Sequence, residues 1–316
     1  MKHKFHRVQF AIGLRRLGEK PKRVVEILQS GNSLPGDERQ FADFSRCGSD
    51  KARAAWDYAS GVLEKCGRHG ITALALGDSL YPRRLEALQE NLSPVLGGYC
   101  PILYCKGEAG GLNADSAAAI VGTKEPSEFG RRRAREFGRV LATEGAVIVS
   151  GLALGCDTEG HRGCLEAKGC GVAVMAHGLD RVYPKANTDL AEALIAGGGC
   201  LVSEYAPGTP PYRQSFGFRD RIQAGLSQLV IVVETPEWDG TMITAKFARK
   251  QGKILACVAH PLHCVNHQPP KGNSLLLEQG AISLECPADA MSLLRFEEKG
   301  GREAHYGHGR TQLSIF

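Results

Sequence analysis

From residue 117 onwards, short apolar runs alternate with longer segments in which apolar residues recur with helical spacing. The runs are apolar on both faces, as expected for strands that are buried on both sides. They cover 117–122, 146–151, 171–176, 200–204, 228–234 and 253–259. Strands that alternate with helices favour a parallel sheet with helices on both faces. The pattern therefore predicts an α/β fold with a doubly wound, mostly parallel sheet.

The beginning of the chain has a different pattern, with few strand signals before about residue 65. Val24, Val25, Ile27 and Leu28 fall on one side of a predicted helix, and a second helix is predicted over 50–67. These features indicate that a small helical domain precedes the sheet.

Three regions follow from these patterns. We expect the helical domain over 1–69 and the sheet domain over 70–297, with 70–116 as a connecting segment. Periodicity is lost beyond about residue 297, so 298–316 is expected to be a flexible tail.

Composition restricts the class of protein only mildly. The chain has 316 residues and a net charge of +5, which permits a polyanionic partner without requiring one. No apolar run approaches the ~20 residues of a membrane span, and the N-terminal apolar stretch is too short and interrupted for a signal peptide. The chain has 11 cysteines and no C-x-x-C pair. An odd number of scattered cysteines without such pairs indicates free thiols. We therefore expect a cytoplasmic protein with no membrane contact.

Glycines follow most of the predicted strands. In parallel sheets ligands bind outside the carboxyl ends of the strands, so these turns should converge on one edge. We name this edge the rim; it comprises the turns that contain Gly122, Gly151, Gly178, Gly208 and Gly240. The stretch "VIVSGLALGCDTEGH" (147–161) should present free backbone N–H groups there, as an anion site requires. Its Asp157 is either a helix N-cap or a functional group.

Common catalytic and cofactor motifs are missing from the rim. The chain contains no G-x-G-x-x-G after a strand, no G-x-x-x-x-G-K-[ST] and no G-x-S-x-G. These absences favour binding over catalysis and predict no cofactor. His260, His263, Cys264 and His267 are metal-ligand types, but their segment "HPLHCVNHQPP" lacks the paired spacing of structural zinc sites. We favour a plain loop over a metal site.

Six segments in order over residues 119–253 carry a family resemblance. They are "AIVGTKEPSEFG", "IVSGLALGCDTEGHRGCL", "GLDRVYPKAN", "LVSEYAPGTPP", "FRDRIQAGLS" and "DGTMITAKFARKQGK". Together they resemble the DNA-processing protein DprA (Smf) family, in the Rossmann-like group that also holds the LOG-type phosphoribohydrolases. The resemblance implies a homodimeric single-stranded-DNA-binding protein that protects DNA during natural transformation. It also implies help in loading a RecA-type recombinase during homologous recombination.

The resemblance also assigns a DNA-binding set on the rim. Its members are Thr123, Lys124, Ser150, Gly151, Lys185, Asn187, Arg219, Arg221, Gly240 and Thr241. Cations and backbone N–H groups at strand ends suit a phosphate backbone. The family segment F-P-x-R-N-R reads "FGFRDR" here, with Gly217 for proline and Asp220 for asparagine. Since a carboxylate facing DNA would repel phosphate, either Asp220 pairs with an arginine or the binding mode differs.

The alternatives are a LOG-like nucleotide-binding protein or phosphoribohydrolase, and a nucleotide sensor in a defence system. LOG enzymes carry P-G-G-x-G-T-x-x-E, but Thr244 stands at the glutamate position of "EWDGTMIT". Loss of that acid–base group argues against an enzyme, so we predict no catalytic residues.

Two further stretches have open interpretations. Five arginines crowd one predicted helix, at 131, 132, 133, 135 and 139, which is more typical of a solvated face than of a DNA contact. The terminal "QLSIF" (Gln312, Leu313, Ser314, Ile315, Phe316) resembles the Q-L-[SD]-L-F peptide that docks on the bacterial sliding clamp. We therefore predict a clamp-binding peptide there. His161 is expected to pack within the fold.

Overall fold

Four helices precede the sheet. The computed structural model describes residues 2–91, 99–260 and 270–298. The helices are α1 (Lys2–Arg16), α2 (Pro21–Gln29), α3 (Glu38–Ser45) and α4 (Ser49–Arg68). Both helices predicted here from the sequence are present, as α2 and α4. Val24, Val25 and Leu28 are buried as the helical pattern predicts.

A nine-stranded sheet forms the centre of the fold. Its strands are β1 (Ile71–Ala75), β2 (Ile102–Gly107), β3 (Ala117–Val121), β4 (Val147–Ser150), β5 (Gly171–Val174), β6 (Cys200–Ser203), β7 (Leu229–Val232), β8 (Ile254–Val258) and β9 (Ile282–Leu284). Their order is β1-β2-β6-β5-β4-β3-β7-β8-β9. All pairings are parallel except β1 with β2 and β2 with β6. The mostly parallel sheet is confirmed, and each of the six predicted strands is present as β3 to β8.

Helices cover both faces of the sheet. They are α5 (Arg83–Asn91), α6 (Glu128–Thr143), α7 (Cys156–Glu166), α8 (Thr188–Ala196), α9 (Arg213–Leu226), α10 (Thr241–Lys250), α11 (Lys271–Glu278) and α12 (Pro287–Glu298). Side chains of β3 alternate between the faces, as the pleat requires. Ala118 and Ile120 pack with α6, α7 and α12. Ala117, Ala119 and Val121 belong to the core on the other face, which includes α9 and α10.

The N-terminal helices share that second core with the first strands. Phe10 and Phe41 belong to the same buried cluster as Leu74 of β1 and Leu103 of β2. Arg7 Nη1 also donates to the carbonyl of Leu76 at 2.6 Å. The boundary at residue 69/70 remains a prediction. The segment 70–116, which was predicted to connect the helical domain to the regular strands from residue 117 onwards, contains β1, α5 and β2.

The order of the strands places a crevice beside β3. The chain runs from β3 through β4 and β5 to β6 in one direction, and then returns to β7 on the other side of β3. Ligands of doubly wound sheets bind at such a switch point, outside the carboxyl ends of the strands. The turns that follow β3 and β7 are therefore the first place to examine for a site.

Two other expectations concern membrane spans and the C-terminal tail. Within the described ranges, no helix is both long and apolar enough to cross a membrane. The expected tail beyond Glu298 lies outside the described residues, as do Gln312, Leu313, Ser314, Ile315 and Phe316.

Candidate functional site

Backbone hydrogen bonds join three turns of the rim. Thr123 N, after β3, donates to Glu234 O, after β7, at 2.7 Å, and Cys156 N at the start of α7 donates to Thr123 O at 3.2 Å. Gly155 has φ +80°, and a Cβ there would lie 2.4 Å from Thr123 O. Glycine is therefore required where these turns approach each other. The turns after β3, β4 and β7 form one continuous surface.

The turn after β4 is closed by a carboxylate. Asp157 Oδ2 accepts from Gly151 N at 3.0 Å and from Ala153 N at 3.3 Å. The free amides expected in this turn are therefore occupied at these two positions. Asp157 does not act as the N-cap of α7, because Gly155 occupies that position. Its side chain instead fixes the shape of the turn.

Arg219 of α9 lies beneath this turn, with its guanidinium buried. It donates through Nε to Asp220 Oδ1 at 2.9 Å and through Nη1 to Gly151 O at 2.7 Å. Nη1 also reaches the carbonyl of Val174 at the end of β5. The arginine thus connects α9 to the carboxyl ends of β4 and β5.

Asp220 pairs with an arginine, which is one of the two possibilities that the sequence left open. Its carboxylate pairs with Arg219 and also hydrogen-bonds Thr244 of α10. Burial raises the pKa of Asp220 from 3.8 to about 6, against the lowering effect of Arg219. Burial also raises the pKa of Asp157, again opposed by Arg219. Two buried carboxylates therefore share one guanidinium, and the charge of Asp220 does not face solvent.

Arg221 is engaged in the same way, at the other side of α9. It forms a two-pronged ion pair with Glu204, at 2.7 Å for Nη1–Oε1 and 2.7 Å for Nη2–Oε2. Nη1 also donates to Phe218 O at 2.7 Å. Such bidentate pairs fix orientation as well as charge. Arg221 therefore holds the loop after β6 against α9.

The remaining predicted DNA contacts divide into a buried and an exposed group. Ser150 is buried, and its hydroxyl donates to Ile120 O at 2.6 Å. Asn187 is buried and donates from Nδ2 to Leu152 O at 2.9 Å, which joins the loop after β5 to the turn after β4. Thr241, at the start of α10, is also buried.

Lys124, Lys185 and Gly240 are the exposed members of the predicted set, and Thr123 is half-buried. Lys124 lies against the turn after β4, since its carbonyl would be 2.6 Å from a Cβ on Gly155. Lys185 begins the short 3₁₀ turn Lys185–Asn187, which the Asn187 hydrogen bonds attach to the same turn. The structure therefore brings both lysines to the rim with their side chains in solvent.

Exposed aromatic side chains on the rim are absent from the predicted set. They are Tyr183, Tyr212, Phe218 and Trp238, with Phe216 in ring contact with Tyr183 at 5.8 Å between centroids. Tyr183 follows β5, Tyr212 immediately precedes α9, Phe218 lies within α9 beside Arg219, and Trp238 follows β7. For Tyr183, Tyr212 and Trp238 the available sequence signal was an aromatic residue in a Pro-, Gly- or Asp-containing loop after a strand. Phe218 lies in a helix and carries no such signal.

The arginines of α6 and the buried His161 were also considered from the sequence, and the structure accounts for them without a ligand. On α6, Arg133 pairs with Glu136 and Arg135 pairs with Glu166. His161 is fully buried, neither of its ring nitrogens has a hydrogen-bond partner among the described residues, and burial lowers its pKa to about 3. Such a ring packs within the fold, as expected.

The histidine-rich loop is only partly described. Nε2 of His260 lies 3.0 Å from Val233 O, while His263, Cys264 and His267 lie outside the described residues. In the remainder of the chain that the structure describes, no group of three or more His, Cys, Asp or Glu side chains could hold a metal ion.

The parallel sheet, its switch point and the joined turns define a Rossmann-like α/β protein whose rim lies at the carboxyl ends of its strands. The chain belongs to the family described as DNA recombination-mediator protein A, which matches residues 72–295. It is 33% identical over 273 residues to protein Smf of Escherichia coli K12, covering 86% of this chain and 67% of that protein. It is 32% identical over 277 residues to the DNA processing protein DprA of Bacillus subtilis, covering 81% of this chain and 90% of that protein.

Solved structures agree with the family. DprA from Streptococcus pneumoniae superposes with a TM-score of 0.71 at 27% identity, covering 89% of this chain and 95% of that one. DprA from Helicobacter pylori superposes with a TM-score of 0.60 at 26% identity, covering 72% of this chain and 96% of that one. The structure of that relative was studied for its single-stranded-DNA-binding mode. The predicted resemblance and the fold class are thereby confirmed.

Proposed function

We propose that this protein binds single-stranded DNA along the rim. The observation that carries the proposal is the meeting of solvent-exposed cations, Lys124 and Lys185, with exposed aromatic rings on one edge of the sheet. Single-stranded nucleic acid is bound by combining cations that follow the phosphates with rings on which bases stack. Family membership and the DNA-binding mode studied in the Helicobacter pylori relative support the same conclusion.

Within this proposal the buried arginines have a different role from the exposed lysines, which contact the phosphates. Arg219 and Arg221 are predicted DNA contacts, yet their guanidinium groups bond to protein atoms. Their proposed role is to hold the loops that carry the exposed groups. Replacing Arg219 would leave the buried Asp220 without its partner, and replacing Arg221 would leave the half-buried Glu204 without one, so a loss of binding would be confounded by a loss of folding.

The sharper test is a double variant of the exposed lysines. Fluorescence anisotropy of a labelled oligothymidylate is measured over a salt series for wild type and Lys124→Ala/Lys185→Ala. Each lost phosphate contact reduces the slope of log K against log salt by about 0.7 for a single strand, so the expected reduction is about 1.4. Lys22→Ala/Lys51→Ala removes two exposed lysines of the N-terminal helices and is the matched control. Equal slopes for the two double variants would refute a phosphate path along the rim.

The proposal excludes catalysis of the LOG type. Thr244, at the position of the LOG glutamate, is buried and hydrogen-bonds Asp220, so it offers no acid–base group to a ligand. The measurement is release of the base from a nucleoside monophosphate by the purified chain. Turnover by the pure wild-type chain would contradict the non-enzymatic function.

The proposed biological role is DNA processing in natural transformation and homologous recombination, as a cytoplasmic homodimer. It comprises protection of single strands and help in loading a RecA-type recombinase. Nuclease digestion of a bound oligonucleotide tests protection, and recombinase filament formation on strands coated with single-strand-binding protein tests loading. Sedimentation equilibrium tests the dimer. A chain that binds strands but leaves digestion and filament formation unchanged would limit the role to binding.

The terminal peptide supplies a further proposed partner, the bacterial sliding clamp. Leu313, Ile315 and Phe316 have the apolar character that an extended peptide needs to occupy a groove, and Gln312 supplies hydrogen-bonding groups. Deleting 312–316 is expected to abolish capture of the clamp while leaving oligothymidylate binding intact. Capture that survives the deletion would reject this partner.

A further inference from the structure

Trp238 is the most exposed of the large apolar side chains described, with 91% of its surface accessible. It lies on the loop between β7 and α10. Tryptophan carries a large apolar surface whose burial is favourable, and it is enriched where proteins bind partners. An indole that is exposed to water on this edge of the sheet is therefore a candidate for contact with a ligand.

The loop that carries Trp238 is held at both ends. On its β7 side, Thr235 N donates to Asn273 Oδ1 at 2.8 Å, and Gly272 N donates to Thr235 O at 3.1 Å. On its α10 side, Asp239 O accepts from Met242 N in the first turn of α10 at 3.1 Å. Only three residues, 236–238, lie between these anchors. The backbone on both sides of Trp238 is therefore held, and the loop presents the side chain to solvent.

The same loop borders the cationic part of the rim. Glu234 O accepts from Thr123 N, the residue before Lys124. Glu234 and Asp239 both act electrostatically on the Cys156 thiol, and Cys156 N is bonded to Thr123 O. The turns of Trp238 and Lys124 therefore flank one point at the β3–β7 switch.

The charges around the indole determine which part of a nucleotide it can meet. Trp238 stands between Glu237 and Asp239, whose carboxylates repel phosphate. Lys124, across the β3 turn, attracts phosphate. For a strand whose phosphates meet Lys124, the part that can approach the indole without charge repulsion is a base, which is uncharged.

Resting on the proposed function, we infer that Trp238 stacks against a base of the bound single strand. Because every base has a π face, such a contact is tolerant of sequence and adds affinity to the phosphate contacts. Trp238 is then a residue that recognises bases, distinct from the lysines that recognise the backbone.

The experiment compares two oligomers of equal length and charge, oligothymidylate and the same chain built from abasic nucleotides. Full-length wild type, Trp238→Ala and Trp238→Phe are titrated by anisotropy. Trp238→Ala is expected to weaken oligothymidylate binding about tenfold and to leave abasic binding unchanged, while Trp238→Phe retains most of the affinity. Trp56 is largely buried, so quenching of wild-type fluorescence by oligothymidylate should disappear in Trp238→Phe.

The outcomes separate this inference from the function on which it rests. If wild type binds neither oligomer, the proposed function fails and the inference fails with it. If wild type binds and Trp238→Ala weakens both oligomers equally, or neither, only the inference is overturned. A change in sedimentation without a base-dependent loss would assign the indole to contact between copies of the chain, which also overturns it.

Discussion

Replacing Asp220 by asparagine isolates the energetic effect of a buried charge on the rim. Asp220 is buried beside Arg219, with the Asp157 carboxylate adding a second negative charge to the same cluster. Asparagine keeps the size of the side chain and an oxygen that can accept from Arg219 Nε, but it carries no charge. The variant therefore changes ionisation while largely preserving the hydrogen bond.

The size of the effect follows from the pKa of Asp220. Burial raises it from 3.8 to about 6, with Arg219 opposing. Between these values the folded protein binds a proton more readily than the unfolded chain, so stability from this group is present at low pH and is lost as pH rises through about 6. The full loss is about 3 kcal/mol. Integration between about pH 4.5 and about pH 7.5 gives about 2 kcal/mol.

Urea unfolding of wild type and Asp220→Asn at both pH values measures this difference. All titrating groups common to the two proteins cancel in the comparison, so the stability of wild type relative to the variant should fall by about 2 kcal/mol on going to the higher pH. Asp57→Asn removes an exposed carboxylate of α4 and is the control for charge alone. A difference that stays constant, or that favours wild type at the higher pH, would show that the ion pair with Arg219 outweighs burial.

Two further predictions concern buried positions. Gly151→Ala should lower stability by about 1–3 kcal/mol, because its Cβ would lie 2.2 Å from Arg219 Nη1, whereas Gly240→Ala meets nothing within 4 Å and should lower it little; similar thermal shifts for the two variants would contradict this. His161→Leu removes a ring whose pKa burial lowers from 6.5 to about 3, so wild type should lose about 1 kcal/mol relative to the variant as pH falls from about 7.5 to about 5.5. A pH-independent difference in urea midpoints would refute that reasoning.

The strands could be predicted in proportion to their burial. Strands β3 to β8 are parallel and covered on both faces, so their apolar runs are nearly continuous and easily recognised. The antiparallel strands β1 and β2 were missed: "ITALA" is only partly buried, and "ILYCKG" ends in a lysine and a glycine. Three-residue β9 is too short to produce a periodic signal.

The candidate site was predictable in position but less so in the role of each residue. The alternation of strands and helices was enough to predict that the turns after β3, β4 and β7 meet at one edge of the sheet, as their backbone hydrogen bonds show. It could not show that Arg221 is paired with Glu204, 17 residues away, because a charge in a sequence does not reveal its partner. For the same reason the pairing of Asp220 had to be left open. Trp238 was missed because its exposure depends on how its loop is held in the fold, and the presence of a tryptophan in the sequence does not show this.

The joining of the rim turns through backbone atoms has an evolutionary consequence. The bonds from Thr123 N to Glu234 O and from Cys156 N to Thr123 O use no side chain. Substitutions of exposed side chains around these bonds therefore leave the frame of the rim in place, provided that Gly155 and the buried Cys156 are kept. Descendants of one ancestral fold can exchange exposed side chains on the rim, such as those at 124 and 238, while inheriting the backbone geometry that presents them.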